Sequence, residues 1–140
     1  MISETDKAYM AATIDDEGCI GMRICGNKTC ATLLLTVVNT DYRLIEWIEK
    51  VFGGHHATRY RDIGKGYFYT WRVTCSTAQE VLRIVMPYLI IKHEQAVEAL
   101  KATYNGTGIG ITEQERALRQ NIRKNIMELN NTSRKFPKGA

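Results

Sequence analysis

The sequence predicts an α+β fold in which two antiparallel hairpins form one sheet covered by helices on one face. Strand-like segments occur as two pairs, with a helical segment between them. Such hairpins can share a sheet and leave its other face to solvent. With 140 residues, 44% of them hydrophobic, the chain can form one compact core. We predict a single domain over residues 1–130 and a flexible basic tail over 131–140.

The first predicted elements are a helix and a hairpin. Thr5 or Asp6 can cap a helix that ends at Gly18. We expect strands at about 19–25 and 31–38, where apolar residues concentrate.

A second helix and a second hairpin follow. Asn39-Thr40-Asp41 marks the start of the helix, its apolar residues recur at three- and four-residue steps, and Gly53-Gly54 ends it. We place the hairpin strands at 56–61 and 67–74, around a turn at Gly64-Lys65-Gly66. Apolar and polar residues alternate late in the second strand, as in a sheet with one wet face.

Three further helices complete the predicted order. The third begins at Ser76 or Thr77. Proline suits the first turn of a helix, so Pro87 is expected to begin the fourth, which we extend to about Tyr104. Thr112-Glu113-Gln114-Glu115 is a capping box for the last helix.

Composition argues against several classes of protein. No segment approaches the roughly 20 apolar residues that span a bilayer. The first residues lack the basic-then-apolar order of a signal peptide. We therefore expect an intracellular protein, cytoplasmic or organellar and not secreted, with no membrane partner. The four cysteines form no CxxC pair, so we expect reduced, partly buried thiols rather than a zinc site or a disulfide framework.

The net charge of +4 is unevenly distributed. Residues 1–18 hold one lysine and five acids, residues 20–74 hold eight basic residues and four acids, and residues 112–140 hold seven and three. A metal-dependent nuclease needs this arrangement, because phosphates are attracted over a wide surface and cations at one point. A solvated surface with uneven charge would look similar.

Three consecutive acids stand at the end of the first predicted helix. Asp15, Asp16 and Glu17 precede Gly18, and negative charge there is unfavourable because the helix dipole is already negative at its C-terminus. A divalent cation would reverse this penalty, and Mg²⁺ binds carboxylates while keeping several waters. A solvated helix end is the alternative.

Residues 9–20, Tyr-Met-Ala-Ala-Thr-Ile-Asp-Asp-Glu-Gly-Cys-Ile, resemble the first signature of the LAGLIDADG homing endonucleases, with residues 10–18 in the nine motif positions. Residues 87–96, Pro-Tyr-Leu-Ile-Ile-Lys-His-Glu-Gln-Ala, resemble the second signature of that family. The helix–hairpin–helix–hairpin order between them is the order of the family fold. Met10, Ala12 and Thr13 depart from the commoner motif residues, which bears on how closely two such helices pack.

The resemblance implies a homodimer that shares a metal site. Ala8, Ala11, Ala12 and Asp15 recur at three- and four-residue steps and line one helical face with small groups. In the family this face meets its twofold copy; packing within one subunit is the alternative.

The family assigns a separate role to each acid. By resemblance, Asp15 braces the helix ends, Asp16 offers its backbone carbonyl to the metal, and Glu17 stands at the metal-binding carboxylate position. The cofactor implied is Mg²⁺, and Mn²⁺ or Ca²⁺ are further divalent ions that can bind.

Lys92, Asn39 and Arg43 are the other candidate catalytic residues. On a helix from Pro87, Lys92 would align with an apolar line, where an ammonium is costly unless it snorkels or meets an anion. The family places an active-site lysine here, and snorkelling is the alternative. Asn39 and Arg43 correspond by position to a polar and a basic residue beside the family's metal site, but they can equally be a helix cap and a surface residue.

The resemblance also implies that the sheet lies along the major groove of double-stranded DNA, where each base pair presents a distinct pattern. The expected DNA-binding residues are Arg23, Cys25, Asn27, Lys28, Thr29, Thr32, Leu34 and Thr36 of the first hairpin and His56, Thr58, Tyr60, Arg61, Thr70 and Arg72 of the second. A one-residue shift in register would put Arg59 and Arg61 in place of His56, Thr58 and Tyr60.

Within this set, Arg23 and Arg72 are the strongest candidates for reading bases, because arginine can bind guanine with two hydrogen bonds. The basic residues assigned to phosphate instead are Lys28, Lys65, Arg134, Lys135 and Lys138. Simple solvation is the alternative for any single strand residue.

The predicted function is a site-specific, intron-encoded homing endonuclease that hydrolyses both strands of a long, nearly palindromic DNA site. One chain holds one motif, so a symmetric pair would supply both. Two alternatives use the same fold: an RNA-splicing maturase, and a DNA-binding regulator that does not cut. An unrelated small α+β protein is the third.

Overall fold

The computed structural model describes residues 1–25, 30–60, 66–104 and 111–132, with the side chains of Cys25, Tyr60 and Thr132 left aside. In chain order its elements are α1 (Glu4–Glu17), β1 (Gly18–Cys25), β2 (Cys30–Asn39), α2 (Tyr42–Phe52), β3 (His55–Tyr60), β4 (Tyr67–Thr74), α3 (Cys75–Val85), a 3₁₀ turn (Met86–Tyr88), α4 (His93–Ala99) and α5 (Glu113–Thr132). This order confirms the predicted α+β architecture.

The four strands form one antiparallel sheet in the order β1-β2-β4-β3. Alternate residues of β1, β2 and β4 face the helices and are buried, notably Ile20, Leu33, Leu35, Val37 and Trp71. The other set faces away and is largely polar. The predicted sheet with one solvent-facing side is therefore confirmed. We call this solvent-facing side the outer face.

Helix α1 begins two to three residues earlier than predicted. Ser3, rather than Thr5 or Asp6, is its N-cap, and the Ser3 hydroxyl accepts a hydrogen bond from the Asp6 backbone N–H at 3.0 Å. The helix ends at Gly18 as predicted, and a Cβ on that residue would lie 2.7 Å from the Ile14 Cα. Only glycine fits this close turn from helix into strand.

Helix α2 begins and ends where the sequence predicted. The Asp41 side chain accepts a hydrogen bond from the Arg43 backbone N–H at 2.9 Å, and Gly53 follows the last residue with a φ of 77°. The Gly53 carbonyl accepts a hydrogen bond of 2.7 Å from Trp71 Nε1. This bond ties the end of α2 to the middle of the sheet.

The prediction of a fourth helix running from Pro87 to Tyr104 is wrong. The chain makes a short 3₁₀ turn, becomes extended at Leu89 and is helical again only from His93 to Ala99. The cause is tertiary: the backbone N–H groups of Ile90, Ile91 and Lys92 donate to the Asp15 carboxylate of α1. Those donors are then unavailable to the preceding carbonyls that a continuous helix would use.

Helix α5 packs on the body through Ile122 and Ile126, both fully buried. Thr112 caps it as predicted, accepting a hydrogen bond from the Glu115 backbone N–H at 3.1 Å. The Glu115 side chain bonds to Thr103 and Arg119, so only half of the predicted capping box is present. The helix runs to Thr132, and the rest of the predicted tail lies outside the described residues.

The buried Arg119 joins three parts of the fold. Its guanidinium contacts Cys30 Sγ at 3.2 Å and the Thr103 carbonyl at 2.9 Å, and it lies over the Tyr104 ring. Burial opposes the charge, but the hydrogen bond to Cys30 and the surrounding groups raise the pKa of Arg119 further.

In the described residues, no helix has the length and apolar character needed to cross a membrane. Cys30 and Cys75 are partly buried and stand in no disulfide with another described cysteine, whereas Cys19 is exposed, contrary to the prediction for it.

Candidate functional site at the end of helix α1

The last turn of α1 carries Asp15, Asp16 and Glu17 and no basic residue. Asp15 is half-buried, whereas Asp16 and Glu17 are exposed. The three side chains point in different directions because successive helical residues are about 100° apart. Each therefore has its own surroundings.

Asp15 is held by the segment between the 3₁₀ turn and α4. Its two carboxylate oxygens accept hydrogen bonds from the backbone N–H groups of Ile90 at 2.8 Å, Ile91 at 3.2 Å and Lys92 at 2.9 Å. The contact places the second signature segment directly against the first. The Asp15 carboxylate thus holds the end of α1 against the segment before α4, and its role as a brace between helix ends, which the resemblance implied, stays a prediction.

Lys92 lies at the same helix end. Its ammonium donates hydrogen bonds to the carbonyl oxygens of Ile14 at 2.8 Å and Asp15 at 2.9 Å. These carbonyls lie in the last turn of α1, which carries the negative end of the helix dipole, so they attract a cation. The predicted apolar line on a helix was wrong, since Lys92 precedes α4. The two acceptors are neutral carbonyl oxygens at the negative end of a helix dipole rather than an anionic group, and the active-site role of Lys92 stays a prediction.

Glu17 is linked to the start of α2. Asn39 Nδ2 donates a hydrogen bond of 2.6 Å to Glu17 Oε2, while Asn39 Oδ1 accepts one of 2.7 Å from the Asp41 backbone N–H. The amide of Asn39 is thereby fixed from both ends. Asn39 thus orients the Glu17 carboxylate, and Asp41 rather than Asn39 caps the helix.

Asp41 is a residue of this site that the sequence reading treated only as a helix start. Its carboxylate pairs with the Arg43 guanidinium through bonds of 2.7 Å and 3.1 Å. Hydrogen bonds from the Arg43 side chain and backbone lower the pKa of Asp41 to about 2, and the same pairing raises the pKa of Arg43. The Asp-x-Arg spacing at the start of a helix was the sequence pattern that could have predicted this ion pair.

A groove of about 830 Å³ runs between α1 and α2 beside these residues. Asp16, Glu17, Asn39 and Arg43 line one part of it. The remainder is lined by Thr5, Asp6, Tyr9, Ala12, Thr13, Asp41, Leu44 and Trp47. The acidic end of α1 therefore opens onto a cleft between α1 and α2.

The exposed face of small residues on α1 contains fewer residues than predicted. Ala8 and Ala12 are exposed, but Ala11 is completely buried within the subunit together with Met10 and Ile14. Ala11 therefore cannot contact a second subunit, because it points into the core of its own subunit. Asp15 lies at the edge of the exposed face.

The outer face of the sheet contains most of the expected DNA-binding residues of β1, β2 and β4. Arg23 pairs with Thr32 and Thr36 pairs with Arg72, so these four share the face. Leu34 and Thr70 belong to it by the same alternation. Cys25 is on this face by backbone register. Asn27, Lys28, Thr29, Arg61, Lys65, Arg134, Lys135 and Lys138 lie outside the described residues.

The first of the two predicted registers of β3 is wrong, and the alternative, which puts Arg59 on the outer face, is confirmed. His55, Ala57 and Arg59 pair with Arg72, Thr70 and Phe68, and these six share the outer face. His56, Thr58 and Tyr60 belong to the opposite face by strand alternation. His56 contacts Glu49 of α2 and packs on the Tyr42 ring, and these contacts select the register.

The donor atoms at the acidic end suit a hard divalent cation. Glu17 offers an exposed carboxylate, and helical geometry leaves the Asp16 carbonyl without a donor from its own helix. Oxygen ligands of this kind are those that Mg²⁺ and Ca²⁺ prefer. Within the described part of one chain, no three His, Cys, Asp or Glu side chains are grouped closely enough to hold a metal ion.

Comparisons with known proteins place this geometry in a known fold. Neither a family model nor a curated protein matches the sequence. The homing endonuclease I-CvuI, solved with a DNA target, matches with a TM-score of 0.65 at 20% identity, over 96% of this chain and 98% of that one. The archaeal intron-encoded homing endonuclease I-Vdi141I, solved with DNA, matches with a TM-score of 0.65 at 15% identity, over 98% and 89%.

A longer protein matches as well. The meganuclease I-SmaMI, solved bound to DNA, aligns with 96% of this chain at 17% identity and a TM-score of 0.62, but the alignment covers only 46% of I-SmaMI. These likenesses show that the chain has the fold of the homing endonucleases, as the two signatures predicted.

Proposed function

We propose that the chain is a homodimeric, divalent-metal-dependent endonuclease that cuts both strands of a long, nearly palindromic DNA site. The observation that carries this proposal is the C-terminal end of α1. There Asn39 holds the Glu17 carboxylate, and the Lys92 ammonium is held 2.8 Å and 2.9 Å from two backbone carbonyls. A carboxylate and an ammonium group held at one helix end suit phosphodiester hydrolysis.

In this mechanism Glu17 and the Asp16 carbonyl would hold the cation. A bound Mg²⁺ would supply a more acidic water and would neutralise charge on the phosphate. Lys92 adds a positive charge on the same side, where it stabilises the negative charge that develops on phosphate oxygens. Asp15 keeps Lys92 at this position through the backbone of residues 90–92.

A second copy would complete the site. Ala8 and Ala12 leave an exposed face on α1 that lets another helix approach closely. Beside Asp15, Ile90 is 88% exposed and Ile91 is 58% exposed, and apolar side chains so open to water favour association. The chain also aligns with about half of I-SmaMI, as one of two equivalent units would. Twofold pairing brings two α1 ends together and favours a symmetric DNA site.

The outer face supplies the DNA-binding surface. Its described strand residues include Arg23, Arg59, Arg72 and His55 and no acidic residue. Two such faces related by a twofold axis would lie along the major groove on either side of the paired acidic ends. The solved relatives with this fold include DNA complexes, which supports the same partner here.

The proposal is tested on duplexes recovered from a randomised library by their binding to the full-length protein. With Mg²⁺ the wild-type protein should cut both strands of such duplexes, and removing Mg²⁺ with EDTA should stop cutting. Glu17→Gln should retain binding and lose cutting by at least about 100-fold. Asp16→Asn is the matched control: it should cut within a few-fold of wild type, because the proposed ligand of Asp16 is its backbone carbonyl.

Each other outcome contradicts a defined part of the proposal. Binding without cutting by the wild-type protein would indicate a DNA-binding regulator. Absence of DNA binding together with crosslinking to structured RNA would indicate a maturase. A protein that sediments as a monomer on its DNA would contradict the shared metal site.

A further inference from the structure

We infer that Arg23, Arg72 and Arg59 form one diagonal row of base-reading residues across the outer face. Each half-site would then carry three G·C pairs spaced by about four to five base pairs. This inference rests on the proposed function and adds to it the pattern of bases that the protein reads.

The strand register places the three arginines in line. Arg23 of β1 pairs with Thr32 of β2, and Arg72 of β4 pairs with Thr36, four residues further along β2. Arg59 of β3 pairs with Phe68, which lies four residues from Arg72 in the direction away from Thr32. The three arginines therefore lie at steps of four residues along the strand direction. Across the sheet they lie on β1, β4 and β3 in turn.

The spacing of the row follows from sheet geometry. Four residues of strand span about 13 Å, and neighbouring strands are about 4.8 Å apart. Arg23 and Arg72 are two strand spacings apart across the sheet, which makes their backbone separation about 16 Å. Arg72 and Arg59 are one strand spacing apart, which makes theirs about 14 Å. At about 3.4 Å per base pair, these separations correspond to about four to five base pairs each.

The surroundings of the arginines leave them available to DNA. Arg23 and Arg59 are exposed and Arg72 is partly exposed. None of the three has a side-chain hydrogen bond or ion pair with another described residue, in contrast to Arg43, Arg116 and Arg119. No acidic residue shares the described outer face, so no protein carboxylate competes with bases for these guanidinium groups.

The residues between the arginines explain why they would dominate sequence preference. Thr32, Leu34, Thr36 and Thr70 occupy the middle of the face. Hydroxyl and methyl groups of this kind discriminate less between base pairs than a guanidinium does, which can form two hydrogen bonds to guanine O6 and N7. The strongest preferences should therefore occur at the arginine positions.

The test uses the full-length Glu17→Gln protein, which should bind without cutting, and a randomised duplex library. Bound sequences should show three positions per half-site that prefer guanine on either strand, separated by about four to five base pairs. Changing Arg23, Arg59 or Arg72 singly to alanine should relax one of these positions, each a different one, by roughly 10- to 100-fold in relative affinity. Arg83→Ala, an exposed arginine of α3 off the sheet, should leave all preferences unchanged.

Three results would overturn the inference while leaving the proposed nuclease intact. One is specific binding with no guanine preference at this spacing. Another is a set of arginine variants that keep every preference. The third is an arginine variant that weakens all sequences equally and lowers the salt dependence, which identifies a phosphate contact. Loss of all DNA binding by the Glu17→Gln protein and by wild type would instead contradict the proposed function itself.

Discussion

Removing the Asp15 carboxylate should separate the two signature segments, and the cost follows from three hydrogen bonds. Asp15→Ala removes acceptors that lie 2.8, 3.2 and 2.9 Å from the N–H groups of Ile90, Ile91 and Lys92. A hydrogen bond to a charged group contributes about 1.5–3 kcal/mol net where water is excluded, and less where water has access. Because Ile90 and Ile91 are exposed and water can replace the carboxylate, we expect a total loss of about 2–3 kcal/mol rather than more.

Urea denaturation followed by circular dichroism, at fixed protein concentration because dimerisation contributes to stability, measures this loss. The midpoint should fall with no change in slope, and the melting temperature should fall by about 6–12 °C. Asp16→Ala is the matched control, since it removes a neighbouring exposed acid from the same helix end. It should change stability by less than about 0.5 kcal/mol, or stabilise slightly by reducing repulsion with the helix dipole.

If the Asp15→Ala and Asp16→Ala proteins were equally stable, the brace would not stabilise the fold and our account of why helix α4 starts at His93 would fail.

Two further predictions concern backbone geometry and pH. Gly54→Ala should destabilise the protein more than Gly53→Ala in thermal melts: both residues have positive φ, but a Cβ on Gly54 would lie 2.6 Å from Trp71 Nε1, whereas one on Gly53 meets nothing within 4 Å. Equal losses would refute the steric argument. Burial raises the pKa of Glu98, but hydrogen bonds from Asn125 and Lys101 outweigh it and hold that pKa below 4.5. A carboxyl group whose pKa is lower in the folded than in the unfolded protein stabilises the fold when the pH lies above the unfolded-state pKa. The stability advantage of the wild type over Glu98→Gln should therefore be constant at neutral pH and should shrink as the pH falls below about 4.5. An advantage that grew on acidification would show the opposite sign of coupling.

Much of the fold was predictable because local signals agreed with it. Gly18, Asp41 and Gly53-Gly54 mark helix boundaries through backbone geometry and capping, and these act between near neighbours in the chain. The segment after Pro87 misled the prediction for the same reason. Its local pattern favours a helix, but its N–H groups find their acceptor on Asp15, more than seventy residues earlier in the chain.

The candidate site divides in the same way. Residue types alone pointed to the candidate site, through the acidic triplet, Lys92 and Asn39. They did not show how these residues contact one another. The register of β3 could not be predicted, because both alternating sets of residues in 55–60 contain polar residues and a basic residue. The contacts of His56 with Glu49 and Tyr42 select one set, so Arg59 rather than Thr58 shares the outer face with Arg72.

The order of helices and hairpins, the acidic end of α1 and the positions of the basic strand residues all follow from local sequence patterns. These depend on periodicity, capping and charge within short stretches of chain. Three other features come from contacts between distant segments: Ala11 is buried while Ala8 and Ala12 are exposed, Lys92 reaches the carbonyls of α1, and three arginines align across the sheet. Each of these depends on which distant segment packs against which face, and that choice is made by the free energy of the whole core rather than by any local pattern.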